Sequence, residues 1–370
     1  MNIIEDDKNK FLINSIEAKQ KRNYGVDLLK IIAMINIINL HINRNSKLLD
    51  LNPFDQRYKQ VYLLQIFSYW PVNTFGLISG LIGFKKYKFS NIIYLWFEYF
   101  YYSIFFSIYL YMKQSLHLKI LLLSFFPLGI KRYWYVNAYF FMYLLLPFIT
   151  SSIILLDRNK FTKLILYYFI MYSLYHTLLM YLLRGTNYDF SDYGYSSIWI
   201  IHLYIIGSYI GRFNANKLLI PKIFLFIIFI LSSYITFEYT YYINTKYKFA
   251  VNILLNYLSP TIIIQALALI FLFSNMKINN NYIKKLLQFL IPLNFNVALI
   301  HHRVFSFKIP IIAKFFNYIR LLSFKYLFFK IYGISIIIYC FCAFFDYFRY
   351  ILFKIFRVKK ICNYIENYLF

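Results

Sequence analysis

Carboxylates are scarce in this chain: 14 Asp and Glu face 40 Lys and Arg, for a formal net charge of +26. The surplus does not read as a nucleic-acid footprint, because the basic residues are scattered over every loop; contact with anionic lipid headgroups accounts for them. Cysteine is nearly absent. Cys340 and Cys342 form a C-x-C pair in an apolar stretch without histidine, and Cys362 stands alone, so neither a zinc pattern nor a disulfide framework is indicated. They read as small core or lipid-facing residues. With 10 glycines and 8 prolines in 370 residues, no linker rich in Gly, Pro or Ser divides the chain, and no low-complexity tract or fixed-period repeat is present. Residues 1–26 are polar with no leading apolar stretch, so no cleavable secretion signal is expected.

Long apolar runs dominate instead. The chain is 61% hydrophobic and 23% aromatic, above the roughly 45–50% apolar content of soluble domains. LLQIFSYWPVNTFGLISGLIGF, NIIYLWFEYFYYSIFFSIYLYM and LIPKIFLFIIFILSSYITFEY each approach or exceed the ~20 residues that cross about 30 Å of hydrocarbon. An all-α, polytopic membrane helix bundle is expected. Hydropathy and charge punctuation give ten spans, at about 27–43, 61–84, 91–112, 133–156, 161–183, 195–213, 221–243, 252–275, 286–306 and 326–354. Pro292, Asn294 and Asn296 make the ninth the most irregular. The chain divides into an N-terminal tail over 1–26, a membrane domain over 27–356 and a C-terminal tail over 357–370. With the amino terminus cytoplasmic, the tails and alternate loops on that side carry 22 of the 40 basic residues, which favours both termini inside an inner (plasma) membrane. Connections at 44–60, 113–132, 184–194 and 307–325 are too short for a separate domain, so chemistry must occur within the bundle or at its mouths.

The first span raises the chemical question. DLLKIIAMINIINLH places Asp27, Lys30 and His41 in apolar surroundings, where ionisable groups are costly and mark functional sites by default. Eleven helical steps from Lys30 to His41 leave the two about 20° apart around the axis and about 16 Å apart along it; Asp27 falls within about 60° of the same line. Such a stripe must face the protein interior or a wet cavity. The structural alternative is an Asp27–Lys30 ion pair at one interface, with Lys30 snorkelling and His41 capping the far end.

The stretch resembles the first helix of the type three acyltransferase family, multi-spanning proteins that acylate sugars of bacterial surface polysaccharides. The family's acidic residue, Leu, basic residue and distant His are met by Asp27, Leu28, Lys30 and His41, with Arg22 in the basic lead. Further segments are similar in order along the chain: Phe75 to Ser103 with its Ser-Gly pair and basic turn, RYWYVNAYFFMYLLLPFI from Arg132, SSIWIIHLYIIGSYIGRF from Ser196, and NVALIHHR at 296–303. Lys30 departs from the family's more frequent Arg, and the ninth helix is unusually polar. The resemblance implies acyl transfer from acetyl-CoA or another acyl-CoA, used as co-substrate with no permanently bound cofactor, to a sugar hydroxyl of a polysaccharide or glycolipid precursor. Membrane lipids, the glycan acceptor and polysaccharide-synthesis machinery would be the partners. His41 would be the general base or a covalent acyl carrier, Lys30 a phosphate or charge-stabilising group, and Asp27 the residue orienting Lys30 or Arg22. His301 would be a second site residue, with Asn73, Ser79, Trp134 and Tyr139 lining the substrate pocket and Arg22, Lys85 and Lys86 receiving the CoA phosphates.

The remaining residues are weighed on their own chemistry. Among His41, His117, His176, His202, His301 and His302 no spacing suggests a metal site; His302 reads as interfacial. Glu98 lies in an apolar span and calls for a Lys or Tyr partner on a neighbouring helix. Lys85, Lys86 and Lys88 also fit the positive-inside rule alone. Gly76 with Gly80, and Gly207 with Gly211, form two G-x-x-x-G spacings that predict close helix packing. Two other functions compete. A polysaccharide transporter or exporter subunit would use the intramembrane charges to line a pathway. A glycosyltransferase would use outer-loop carboxylates, for which Asp189 and Asp192 are the available pair.

Overall fold

The computed structural model describes residues 22–83, 87–113, 118–128, 133–183, 192–215, 220–247, 253–307 and 309–369. Among these, every regular element is a helix: α1 (Tyr24–Asn45), α2 (Tyr58–Phe67), α3 (Pro71–Gly83), α4 (Phe89–Met112), α5 (Leu118–Leu123), α6 (Trp134–Ile154), α7 (Arg158–Leu182), α8 (Ser197–Arg212), α9 (Lys222–Tyr247), α10 (Pro260–Ser274), α11 (Asn281–Phe305), α12 (Pro310–Arg320), α13 (Leu327–Ile355) and α14 (Val358–Leu369). Lys85 and Lys86 lie outside the described residues, as do His117, Asp189 and most of the N-terminal segment.

Six of these helices are long and apolar enough to cross a membrane: α1, α6, α7, α9, α11 and α13. Ten were expected, and local chemistry explains the difference. The stretch 61–84 breaks at Ser68–Trp70, where Pro71 opens α3 as its first residue, a position that tolerates the missing N–H. The helix α4 is long, but Glu98 and its many tyrosines dilute its hydropathy. The other two are short, 16 residues in α8 and 15 in α10, because 253–259 leads into Pro260 without helix. Conversely, α11 runs through Pro292 for 25 residues without a break. The C-terminal stretch expected as a tail carries a helix: α14 packs on α4, where Glu366 Oε1 accepts the Phe89 backbone N–H at 2.5 Å.

At the centre stands α1, in contact with α2, α3, α10, α11 and α13. Asn23 caps it, its side chain accepting the Val26 N–H at 3.1 Å; Asp27 in the first turn and Arg44 in the last oppose the ends of the helix dipole. One face carries buried asparagines. Asn36 accepts from Ser68 Oγ at 2.9 Å, Asn39 accepts from Ser335 Oγ, and Asn43 donates to Gln65 at 3.1 Å. These bonds pin α1 to the α2–α3 break and to α13. Buried amides are stable in apolar surroundings only when so paired.

The G-x-x-x-G spacings face one another across the α3–α8 contact. A Cβ on Gly80 would lie 2.0 Å from the Tyr204 carbonyl oxygen, and one on Gly207 the same distance from that of Leu77. Backbone meets backbone there, which only glycine permits. Gly25 plays the same part between α1 and the end of α10, where a Cβ would sit 2.0 Å from the Phe273 oxygen.

Candidate active site

A cavity of about 1080 Å³ runs beside α1. Asp27, Lys30, His41 and Arg44 all border it, so the polar stripe does face an internal space. From Asp27 to Arg44 the helix covers about 25 Å, most of the hydrocarbon thickness.

One end of the cavity is cationic. Asp27 is buried, and its carboxylate bridges two cations, Arg22 Nε at 2.6 Å and Lys30 Nζ at 3.6 Å. One acid against two bases leaves this end with a net positive charge. Arg22, Asn23 and Asn91 complete the polar lining there, and Asn294 reaches across from α11 to donate to the Lys30 carbonyl at 3.3 Å.

The far end holds three histidines. His301 Nδ1 lies 2.6 Å from the Val297 carbonyl oxygen, and its Nε2 lies 2.9 Å from His41 Nδ1. A carbonyl only accepts, so His301 carries its proton on Nδ1 and, when neutral, offers Nε2 as an acceptor. His41 must then donate from Nδ1. Its Nε2 is left with a lone pair and no hydrogen-bond partner among the described residues, in a side chain that borders the cavity. His301 is fully buried and does not border the cavity; its place is behind His41, not in the substrate lining expected for it. His302, expected at the interface, does border the cavity, with its ring 5.2 Å from that of His41 and 5.0 Å from that of Tyr133. The i and i+1 positions send the two rings to different faces of α11, which lets one support His41 and the other share its cavity.

Aromatic rings form much of the remaining wall. Trp134, Tyr135 and Tyr139 project from α6, and Tyr69, Tyr195 and Tyr257 come from the non-helical connections. Trp134 lies 4.6 Å from Tyr195 and 5.8 Å from Tyr257, ring centre to ring centre. Ser79 borders the cavity, its hydroxyl donating to the Phe75 carbonyl at 2.8 Å within 3.4 Å of the Tyr139 oxygen. Asn73 does not line the cavity. Its amide is spent on structure, donating to the Tyr257 carbonyl at 2.8 Å and accepting from Trp199 Nε1 at 3.0 Å. Among the described residues no group of three or more His, Cys, Asp or Glu is placed to hold a metal.

Glu98 belongs to a second, buried cluster. Its partner is Arg349 of α13, Nη1 to Oε1 at 2.9 Å, rather than a Lys or Tyr. Arg349 also chelates Asp346, with Nε at 2.8 Å and Nη2 at 2.7 Å; Tyr102 donates to Asp346 at 2.6 Å and Asn296 to Glu98 at 3.0 Å. Arg349 lies inside the expected span 326–354 and is 1% exposed. Sequence reasoning also passed over Arg44, Tyr69, Tyr195 and Tyr257. The first was legible, since it lies one turn past His41. The three tyrosines are distant in sequence and carried no signal among the chain's 40.

No protein-family model, no curated protein and no solved structure matches this chain.

Proposed function

We propose that the protein is an integral-membrane O-acyltransferase that moves an acetyl or other short acyl group from an acyl-CoA to a sugar hydroxyl of a surface polysaccharide or glycolipid precursor. The observation that carries this reading is the unpartnered Nε2 of His41, fixed as an acceptor by the His301 and Val297 relay and set in a cavity with a cationic end. The resemblance of the first helix to the type three acyltransferases supports the same assignment.

In this reading the sugar hydroxyl gives its proton to His41 Nε2 as its oxygen attacks the thioester carbonyl, because an alcohol is a weak nucleophile without a positioned base. The tetrahedral intermediate collapses by breaking the C–S bond, and the departing thiolate takes the proton from the imidazolium. The His301 imidazole supports the cation by accepting from His41 Nδ1 through its own Nε2, as the third member of a nucleophile–base–orienter set does. The net charge of Arg22, Asp27 and Lys30 receives the CoA phosphates, and that end is placed in the cytoplasm, in keeping with the loop charges. A covalent variant has His41 Nε2 attack the thioester first and pass the acyl group to the sugar afterwards.

The test is transfer of radiolabelled acetyl from acetyl-CoA into glycolipid or polysaccharide by membranes containing the intact protein or the His41→Ala variant. Label that depends on His41 is the expected result. A cavity bordering most of the length of α1 also suits a polysaccharide transporter, and glycan movement without acyl transfer would favour that reading.

A further inference from the structure

The acyltransferase reading leaves the acceptor open, and the histidine end of the cavity narrows it. Arg44 lies three residues beyond His41, about 4.5 Å further along the α1 axis, and borders the same cavity. Arg44 is exposed, whereas three other arginines are satisfied by the protein: Arg22 by Asp27, Arg349 by Asp346 and Glu98, Arg212 by the carbonyls of Ile153 and Leu156. Arg44 forms no ion pair among the described residues, although Asp50 borders the same end. His41, His302, Tyr69 and Tyr257 line the same cavity, and all four stand within electrostatic reach of the Arg44 charge.

Beside it stands an aromatic group suited to a sugar ring. The Tyr69 and Tyr257 rings are 4.9 Å apart, those of Tyr195 and Tyr257 5.0 Å, and Trp134 joins both Tyr195 and Tyr257. Such rings offer flat apolar faces for a pyranose and phenolic hydroxyls for its oxygens. A guanidinium supplies two parallel N–H donors and a fixed positive charge, which a carboxylate or a phosphate answers in both geometry and charge and a neutral hexose does not answer in charge.

We infer that the acceptor subsite, between His41 and the Tyr69, Trp134, Tyr195 and Tyr257 rings, takes a sugar bearing an anionic group, carboxylate or phosphate, which pairs with Arg44. The proposal rests on the acyltransferase reading for the word acceptor, but the site it describes can be tested by binding alone.

The experiment is calorimetric titration of the full-length protein, in nanodiscs of zwitterionic lipid, with an oligogalacturonate, its carboxyl-reduced neutral counterpart and a hexose 1-phosphate. At least one anionic sugar should bind about tenfold or more tighter than the neutral one, the worth of one charge-assisted pair. Arg44→Gln should erase that preference without weakening the neutral sugar, Arg44→Lys should keep part of it, and Trp134→Ala should weaken all three. Equal binding of neutral and anionic sugars, or a preference that survives Arg44→Gln, overturns the proposal. So does a preference that vanishes when phosphatidylglycerol is added to the discs, which would assign Arg44 to a lipid headgroup. Acyl transfer is followed separately on the same preparations: binding preference without transfer would sink the acyltransferase reading and leave the anionic subsite standing.

Discussion

His41 and His301, 260 residues apart in the chain, meet Nδ1 to Nε2 at 2.9 Å, and the Val297 carbonyl behind them decides which nitrogen of each holds the proton. Replacing His301 by Gln keeps a polar side chain but removes the imidazole that fixes the His41 tautomer. Transfer should fall about 10²-fold or more, within the range of a lost general base, while acyl-CoA binding measured at equilibrium stays unchanged. His41→Gln should fall further. Equal activity of His301→Gln and the intact protein would remove His301 from the mechanism.

The buried Arg349 balances two acids, Glu98 and Asp346, and breaking a buried pair by deleting one partner costs about 3–5 kcal/mol. Arg349→Met should therefore lower the thermal midpoint in detergent sharply or abolish folded protein. Adding Glu98→Gln and Asp346→Asn to Arg349→Met removes the orphaned charges and should restore much of the loss. Failure of the triple variant to recover would mean that packing by the Arg349 stem, rather than charge balance, holds α4, α11 and α13 together.

Much of the site's first helix was legible because a helix has a fixed period: Asp27, Lys30 and His41 fall on one face by arithmetic alone. The G-x-x-x-G contacts were legible for a similar reason, since only a missing side chain lets two backbones touch. What sequence could not supply were pairings between distant elements. Glu98 plainly needed a partner, yet nothing in its neighbourhood pointed to Arg349, and Asn73 looked like a pocket residue until its amide was found bridging Trp199 and Tyr257. The count of spans failed because hydropathy averages over breaks such as Ser68–Trp70 and over tyrosine-rich surfaces.

Gly80→Ala and Gly207→Ala should each be poorly tolerated, because the added methyl meets a backbone carbonyl oxygen at 2.0 Å and neither helix can turn it aside. Overpacking of this kind costs about 1–3 kcal/mol or more. Gly333, with nothing within 4 Å of the built methyl, is the control. Its Ala variant should be neutral or stabilised by up to about 1 kcal/mol of helix propensity. Fluorescence-detected size exclusion after graded heating would rank the three.

At the C-terminal helix, burial pushes the Glu366 carboxyl up, but hydrogen bonds from the Ser90 side chain and from the Phe89 and Ser90 backbones, with Lys88 nearby, outweigh it and hold the group below its ordinary range. A carboxyl depressed in this way stabilises the docked helix above its unfolded pKa of about 4.3. That contribution is lost as pH falls through the lowered value. Limited proteolysis near Lys359 and Lys360 should accelerate below about pH 4, and Glu366→Ala should show the faster cleavage already at neutral pH. A pH-independent rate shared by both proteins would show that α14 docks through its apolar face alone.

The zero clearance between Gly80 and Gly207 also constrains how the cavity can change shape. Two backbones in direct contact cannot slide past each other by a turn without colliding with every side chain above and below, so α3 and α8 must travel as one slab. Any change in the shape of the cavity must then come from a seam elsewhere.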